Sequence, residues 1–289
     1  MASLVSVSDQ TLQLITGFIQ QTFANTVKKK AVVAVSGGID SAVSLTLACK
    51  ALGPAQVYPL FLPFEKQSVQ DSQIIASFNE IPVKNWQTYN IERLVSAAQS
   101  TIGFGEDSEL AALRLGNIMA RARMIIVYDV ARQLDALVCG TENKSEKYLS
   151  YFTRFGDEAS DLEPIQHLYK TQVRELARLL TVPEIFLVKA PSAGLWQAQE
   201  DEQELGFSYQ DADQVLVEYI DGNLRSKVVA DLVDPSRYPY SPAGLKTKPV
   251  WQETVTTIAT QTGIAAATVE AVLWRVESTQ FKHQVPYTM

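Results

Sequence analysis

The chain is poor in soft metal ligands: among 289 residues only Cys49, Cys139, His167 and His283 carry thiol or imidazole groups. No CxxC pair occurs, which excludes a disulfide framework and a thiolate zinc site and fits a reducing compartment. Any metal site must then be built from oxygen, which favours magnesium over zinc. Both cysteines fall at expected core positions and read as small buried hydrophobes. Long apolar runs are also missing. Ala31–Val35 and Met124–Tyr128 are strand-sized or half a helix, far short of the roughly 18 residues of a membrane span. The first basic residue is Lys28, so the layout of a secretory signal is absent and a cytoplasmic location is expected. A net charge of -7, from 25 basic and 32 acidic residues, argues against nonspecific binding to nucleic acid or to an anionic membrane. The 46% hydrophobic content is that of a globular chain with a sizeable core.

Apolar periodicity organises what is present. Leu12, Ile15, Phe18 and Ile19 recur at helical spacing and predict an N-terminal helix over residues 8–27. Ala31–Val35 is β-branched, apolar on both faces and closed by Gly37-Gly38, as expected of a buried parallel strand. A helix follows from Ser41 to Leu52 and is stopped by Gly53-Pro54. Further strands are expected at Val57–Leu62, Val83–Trp86 and Ala136–Cys139. Helices are expected around Val69–Phe78, Ile91–Ala98, 108–134 and Val173–Leu180, and two more near the C-terminus at Trp251–Thr260 and Ala265–Ser278. This alternation predicts an α/β fold, a doubly wound parallel sheet with flanking helices whose ligands bind at the carboxyl ends of the strands. Residues 150–168, rich in aromatic, Gly, Asp and Ser residues, suit a mobile functional loop. Residues 234–249 look like an ordered connection.

Two strand ends carry polar, glycine-containing turns. In Ser36-Gly37-Gly38-Ile39-Asp40-Ser41 the glycines permit a tight turn and close backbone approach, and the first helical turn offers unpaired amides to an anion. Ser36 and Ser41 add hydroxyl groups. Asp40 places a carboxylate beside the anion, which is sensible if a divalent cation bridges them. A plain capped strand–helix turn is the competing explanation. The hexapeptide lacks the Gly-Lys-Ser/Thr of a Walker A loop and the GxGxxG dinucleotide pattern.

The motif resembles the PP-loop ATP pyrophosphatases, whose fold is also described as adenine nucleotide alpha hydrolase-like. That resemblance implies a loop gripping the phosphates of ATP for adenylating a substrate. Gly140-Thr-Glu-Asn-Lys-Ser-Glu146, Tyr151-Phe-Thr-Arg-Phe-Gly-Asp157, Leu168-Tyr-Lys-Thr-Gln-Val-Arg-Glu175, Gly116–Met124 and Pro191–Trp196 together resemble ammonia-dependent NAD synthetase. The likeness runs from about Ala31 to Pro286. It implies a single domain over 1–289, with the N-terminal helix, a PP-loop core over about 31–190 and a helical extension over about 205–289.

It also implies a two-step ligase. The carboxylate of deamido-NAD attacks the α-phosphate of ATP, pyrophosphate leaves, and ammonia displaces AMP to give the amide. By resemblance Asp40 and Glu146 hold Mg2+, while Ser36, Gly37, Gly38, Asp40, Ser41, Thr141, Lys170 and Ser192 bind ATP. Arg121, Arg154, Asp161 and Lys282 contact deamido-NAD. Lys170 and Asp157 are the implied catalytic residues, Asp157 lying in the loop that closes over the reaction and handles ammonia. The family further implies a homodimer, with the N-terminal helix and the helix over 108–134 as plausible interface elements.

Read without the resemblance, Glu146 and Lys170 would be ordinary solvated charges at helix starts. Arg121 and Arg123, two apart on a helix, point in different directions, so one should face the site and the other pair with a carboxylate. Because both substrates are polyanions, Arg121, Lys144, Arg154, Lys170 and Lys282 are expected to concentrate at the site. The chain departs from the family at Glu158-Ala159-Ser160, where glycine is usual, at Arg154, where lysine is common, and at Phe281-Lys282-His283. These departures make nicotinate mononucleotide the alternative acceptor. An ATP-binding PP-loop protein without turnover is the alternative of another class. Only 35 residues precede Ser36, too few for a glutaminase domain of on the order of 100–200 residues. Free ammonia, taken directly or from an external donor, is therefore the expected nitrogen source.

Overall fold

In the computed structural model, residues 4–103, 109–192, 200–232, 242 and 244–283 are described. The N-terminal helix α1 (Asp9–Thr26) is opened by a capping box between Ser8 and Thr11. Strands and helices then alternate through β1 (Lys30–Ala34), α2 (Ile39–Leu52), β2 (Val57–Phe61), α3 (Gln70–Phe78), β3 (Gln87–Thr88), α4 (Glu92–Ile102), α5 (Glu109–Leu134) and β4 (Ala136–Val138). Helices α6 (Lys144–Leu149), α7 (Lys170–Leu179) and α8 (Glu184–Val188) complete the core. The C-terminal part is helical: α9 (Asp201–Leu205), α10 (Tyr209–Leu216), α11 (Leu224–Leu232), α12 (Pro249–Thr262) and α13 (Ala266–Ser278).

All paired strands are parallel, in the order β3-β2-β1-β4. Beyond β4 the chain returns, and Leu162 bridges Cys139 in parallel, extending the sheet by a further segment. Strand β1 is central, and Ala31, Val32 and Val33 are fully buried, as expected for a strand covered on both faces. On one face α1, α2 and α7 form an apolar layer around Ile19, Leu45 and Val173. On the other, α4 and α5 pack through Val95, Met119 and Val130 against Val32 and Leu60. A third apolar cluster joins α10, α12 and α13 around Trp251 and Tyr219, and α10 and α13 rest against α6.

Parallel winding moves from β1 outward to β2 and β3, then reverses to place β4 on the other side of β1. A crevice therefore opens between the carboxyl ends of β1 and β4, the position at which doubly wound sheets bind ligands. The turns 36–41 and 140–146 are its two walls. Two local expectations are corrected. Val83–Asn85 forms a 3-10 turn rather than a strand, and pairing with β2 is confined to Gln87 and Thr88; Asn85 is instead buried, donating to the carbonyls of Ala55 and Val57. The stretch after Gly140, read as a turn, continues into α6, opened by a capping box of Asn143 and Glu146. Residues 234–241 and 243, most of the expected connection, lie outside the described residues, as does Trp196. Cys49 and Cys139 are free and buried, as expected.

Candidate active site

The turn after β1 is shaped by Gly37, whose φ of +81° is a left-handed conformation that a side chain adopts only at a cost. A β-carbon there would also lie 3.1 Å from Asp71 Cβ. Ser41 Oγ donates to the Gly38 carbonyl at 3.0 Å and lies 3.1 Å from Ser36 Oγ. The Gly38 amide donates to Ser36 Oγ at 3.3 Å. Gly38 is the N-cap of α2 and carries no side-chain cap, so the amides of the first turn are free for an anion.

Across the crevice Asn143 couples the two walls. Its Oδ1 accepts the Glu146 amide at 3.0 Å, and its Nδ2 donates to Asp40 Oδ1 at 2.9 Å. Glu146 Oε2 accepts the Asn143 amide at 3.4 Å in return. A sequence signal existed for this, since Asn-x-x-Glu is a capping-box pattern.

Lys170, first residue of α7, closes the arrangement. Its ammonium donates to Asp40 Oδ2 at 2.5 Å and to Glu146 Oε1 at 3.0 Å, and it lies 5.1 Å from the Tyr209 ring centroid. The backbone is fixed from behind by Asp213, which is fully buried. Asp213 accepts Ser145 Oγ at 2.5 Å and the Thr171 amide and hydroxyl at 2.8 Å each. Ser145 in turn accepts the Lys170 amide at 2.8 Å.

Glu146 and Lys170 are therefore not solvated charges, since the Lys170 side chain is only 3% exposed and that of Glu146 17%. Burial pushes the Glu146 carboxyl above the usual carboxylate range, against the opposing pull of Lys170. Burial also works against the Lys170 cation, but Asp40 and Glu146 outweigh it and hold the ammonium protonated. Two carboxylates converging on one cation, each also held by a nitrogen donor of Asn143, form a charge trap.

The remaining site residues divide into groups. Thr141 is half-buried at the end of β4, and Ser192 is exposed. Arg121 Nε and Nη2 donate to the Arg154 carbonyl at 3.2 and 3.1 Å. Arg154 lies 5.6 Å from the Phe155 ring and 5.9 Å from that of Phe281. Lys282 donates to the Ser150 carbonyl at 2.6 Å and lies 4.4 Å from the Phe152 ring. Burial, then Arg275, lowers its ammonium to about 8. Arg121, Arg154 and Lys282 thus form a second basic cluster beside the 153–161 turn.

Asp157 Oδ1 accepts the Thr153 amide at 2.8 Å, and Asp161 Oδ2 accepts the Val138 amide at 2.7 Å, fixing that turn to the sheet edge. Lys144 does not join either basic group: Asp221 holds it at 2.6 Å and the Tyr169 ring lies 4.3 Å away. Arg123 does turn away from Arg121, but it donates to the Leu62 carbonyl and to Gln67 Oε1 rather than to a carboxylate. Sequence reasoning missed Lys189, which donates to the Gly37 carbonyl at 3.0 Å and to Asp71 at 2.6 Å. Nothing in its local pattern marks it, because the contact spans the whole core.

A glycine-bearing turn with uncapped helical amides at the switch point of a parallel sheet, faced by a carboxylate–lysine–carboxylate cluster, defines an α/β protein with a candidate anion site. A family model described as NAD synthase matches residues 11–237. The NH(3)-dependent NAD(+) synthetase of Thermococcus kodakarensis is 40% identical over 223 residues, covering 76% of this chain and 85% of that protein. Among solved structures, NMN synthetase from Francisella tularensis superposes with a TM-score of 0.74 at 29% identity, covering 98% of this chain and 99% of that one. The NH3-dependent NAD synthetase of Campylobacter jejuni gives 0.67 at 25% identity, covering 97% and 98%. The chain belongs to the NAD synthase family.

Proposed function

We infer that the chain catalyses ATP-dependent amidation of deamido-NAD with ammonia, giving NAD, AMP and pyrophosphate. The observation that carries this is Lys170 bridging Asp40 and Glu146 beside the phosphate loop. A carboxylate is a poor acyl donor at neutral pH, and adenylation gives it a leaving group. The chain's task is to orient the α-phosphate and to neutralise charge as pyrophosphate departs. The 36–41 amides and hydroxyls seat the phosphates, and Lys170 supplies a positive charge that burial keeps from water. Thr141 and Ser192 are assigned to ATP, Arg121, Arg154, Asp161 and Lys282 to the dinucleotide, and Asp157 to the reacting centre.

Asp40 and Glu146 suit magnesium by donor type, and Asn143 orients both. Among the described residues no group of three or more metal-binding side chains occurs, so the ion would complete its shell with phosphate oxygens and water, as magnesium commonly does. When bound it supplies charge neutralisation to the phosphates.

The likeness to the Francisella NMN synthetase over nearly the whole of both chains favours nicotinate mononucleotide as the second acceptor. AMP release from Mg-ATP and ammonium, with deamido-NAD, with the mononucleotide and with no acceptor, tests the reading. AMP with deamido-NAD, accompanied by NAD, is expected; AMP only with the mononucleotide would move the assignment to that acceptor. AMP with neither would leave an ATP-binding protein without this activity.

The core to about residue 190 and the C-terminal helices work as one domain. No helix among the described residues is long and apolar enough to cross a membrane; with two free thiols, we place the reaction in the cytoplasm, with ammonia arriving free or from a donor.

The active form is a homodimer. Leu110, Leu113 and Ile125 are exposed along α5, on the helical stripe that also carries Arg121, so the interface would adjoin the dinucleotide contacts. Sedimentation is expected to give about twice the 31.9 kDa chain mass. A single-chain mass at assay concentration would overturn the dimer.

A further inference from the structure

Between the Asp40–Lys170–Glu146 cluster and the 153–161 turn stands a second acidic pair that the adenylation chemistry does not use. Glu142 is 8% exposed. Its Oε2 accepts Gln166 Nε2 at 2.6 Å, but its Oε1 is buried and has no hydrogen-bond partner among the described residues. An orphaned buried carboxylate oxygen is costly and calls for a donor.

Glu163 stands beside it. Its Oε2 accepts the Glu142 amide at 3.0 Å and its Oε1 accepts Ser160 Oγ at 2.8 Å. Gly140 makes room for this carboxylate, since a β-carbon there would lie 1.9 Å from Glu163 Oε1. No ion pair to either glutamate is found among the described residues. The nearby Lys147 makes no hydrogen bond to Glu142, donating instead to Gln166 at 2.7 Å, although its charge acts against the rise of the Glu142 carboxyl. Burial raises Glu142 to about 7 and Glu163 to about 8, the latter pushed further by the Glu142 charge. The pair suits a small cation that can also donate hydrogen bonds.

We propose that Glu142 and Glu163 bind the ammonium ion that supplies the amide nitrogen, with Glu142 Oε1 accepting one of its N–H bonds. Ammonium offers positive charge and four donors in a volume close to that of water, and the 140–146 wall holds the pair within the field of Glu146. The proposal rests on the amidation reading above.

The test compares two nucleophiles for the same acyl adenylate, at saturating Mg-ATP and deamido-NAD: ammonium, and hydroxylamine, which is uncharged at neutral pH. Glu142→Gln and Glu163→Gln are each expected to raise the KM for ammonium roughly tenfold or more, while the KM for hydroxylamine stays within about twofold. Should one variant fail to fold, the other reads the same difference. An unchanged ammonium KM, as a shared proton at Glu142 would give, overturns the site; so does a parallel rise for hydroxylamine, which marks a structural role. Failure of the unaltered enzyme to form AMP with either acceptor would instead overturn the amidation reading and the ammonium site with it.

Discussion

Replacing Lys170 by methionine is expected to lower AMP formation by about a thousandfold and to destabilise the fold in the absence of metal by about 3–5 kcal/mol, as removal of one partner from a buried ion cluster does. Both effects share one cause. Asp40 and Glu146 lie on separate elements, and Lys170 is the cation common to both. Without it two partly buried carboxylates face each other across the crevice, and the lost rate reflects a phosphate group deprived of its buried cation. Rate and stability should separate on adding magnesium, which would restore much of the melting temperature but little of the rate. Thermal melts with and without the ion, beside AMP release, check this. Activity within tenfold of the parent would remove Lys170 from the phosphate-binding role.

The second large effect is expected at Glu146, where glutamine keeps the shape but not the charge. The capping box tolerates either residue at this position, so α6 should form normally. Removing one of the two carboxylates that hold the buried Lys170 should lower the melting temperature, by less than Lys170→Met does, because Asp40 still pairs the ammonium. AMP formation is expected to fall by on the order of a hundredfold or more, and the magnesium concentration for half-maximal rate to rise. A magnesium titration of AMP release with Glu146→Gln decides it, since full activity at the parent's magnesium requirement removes Glu146 from the metal-binding role.

Much of this arrangement was legible in the sequence, for reasons that differ by residue. Strand β1 declared itself because a strand buried on both faces must be apolar throughout. The 36–41 turn was readable because tight turns and anion seats need specific residues in fixed order. Lys170 was recoverable only by resemblance: a lysine at a helix start is usually solvated, and its burial depends on Asp40, 130 positions away. The short strand β3 was misplaced because Val83 suggests extended chain, whereas Asn85 turns inward to satisfy carbonyls at the preceding strand. Glu142 and Glu163 gave no local signal. Their proximity comes from the return of the chain along β4, a contact that appears only when Leu162 is seen beside Cys139.

Asn143 carries one further consequence. The same side chain starts α6 and holds Asp40, so the folding of a six-residue helix and the aim of a carboxylate on another element are a single event. A helix this short has little stability of its own, and fraying at its first turn would release both acids from their common orientation before the sheet beneath is disturbed. Catalytic rate would then behave as a local thermometer, losing its temperature dependence of ordinary activation and turning downward below the temperature at which the whole chain melts.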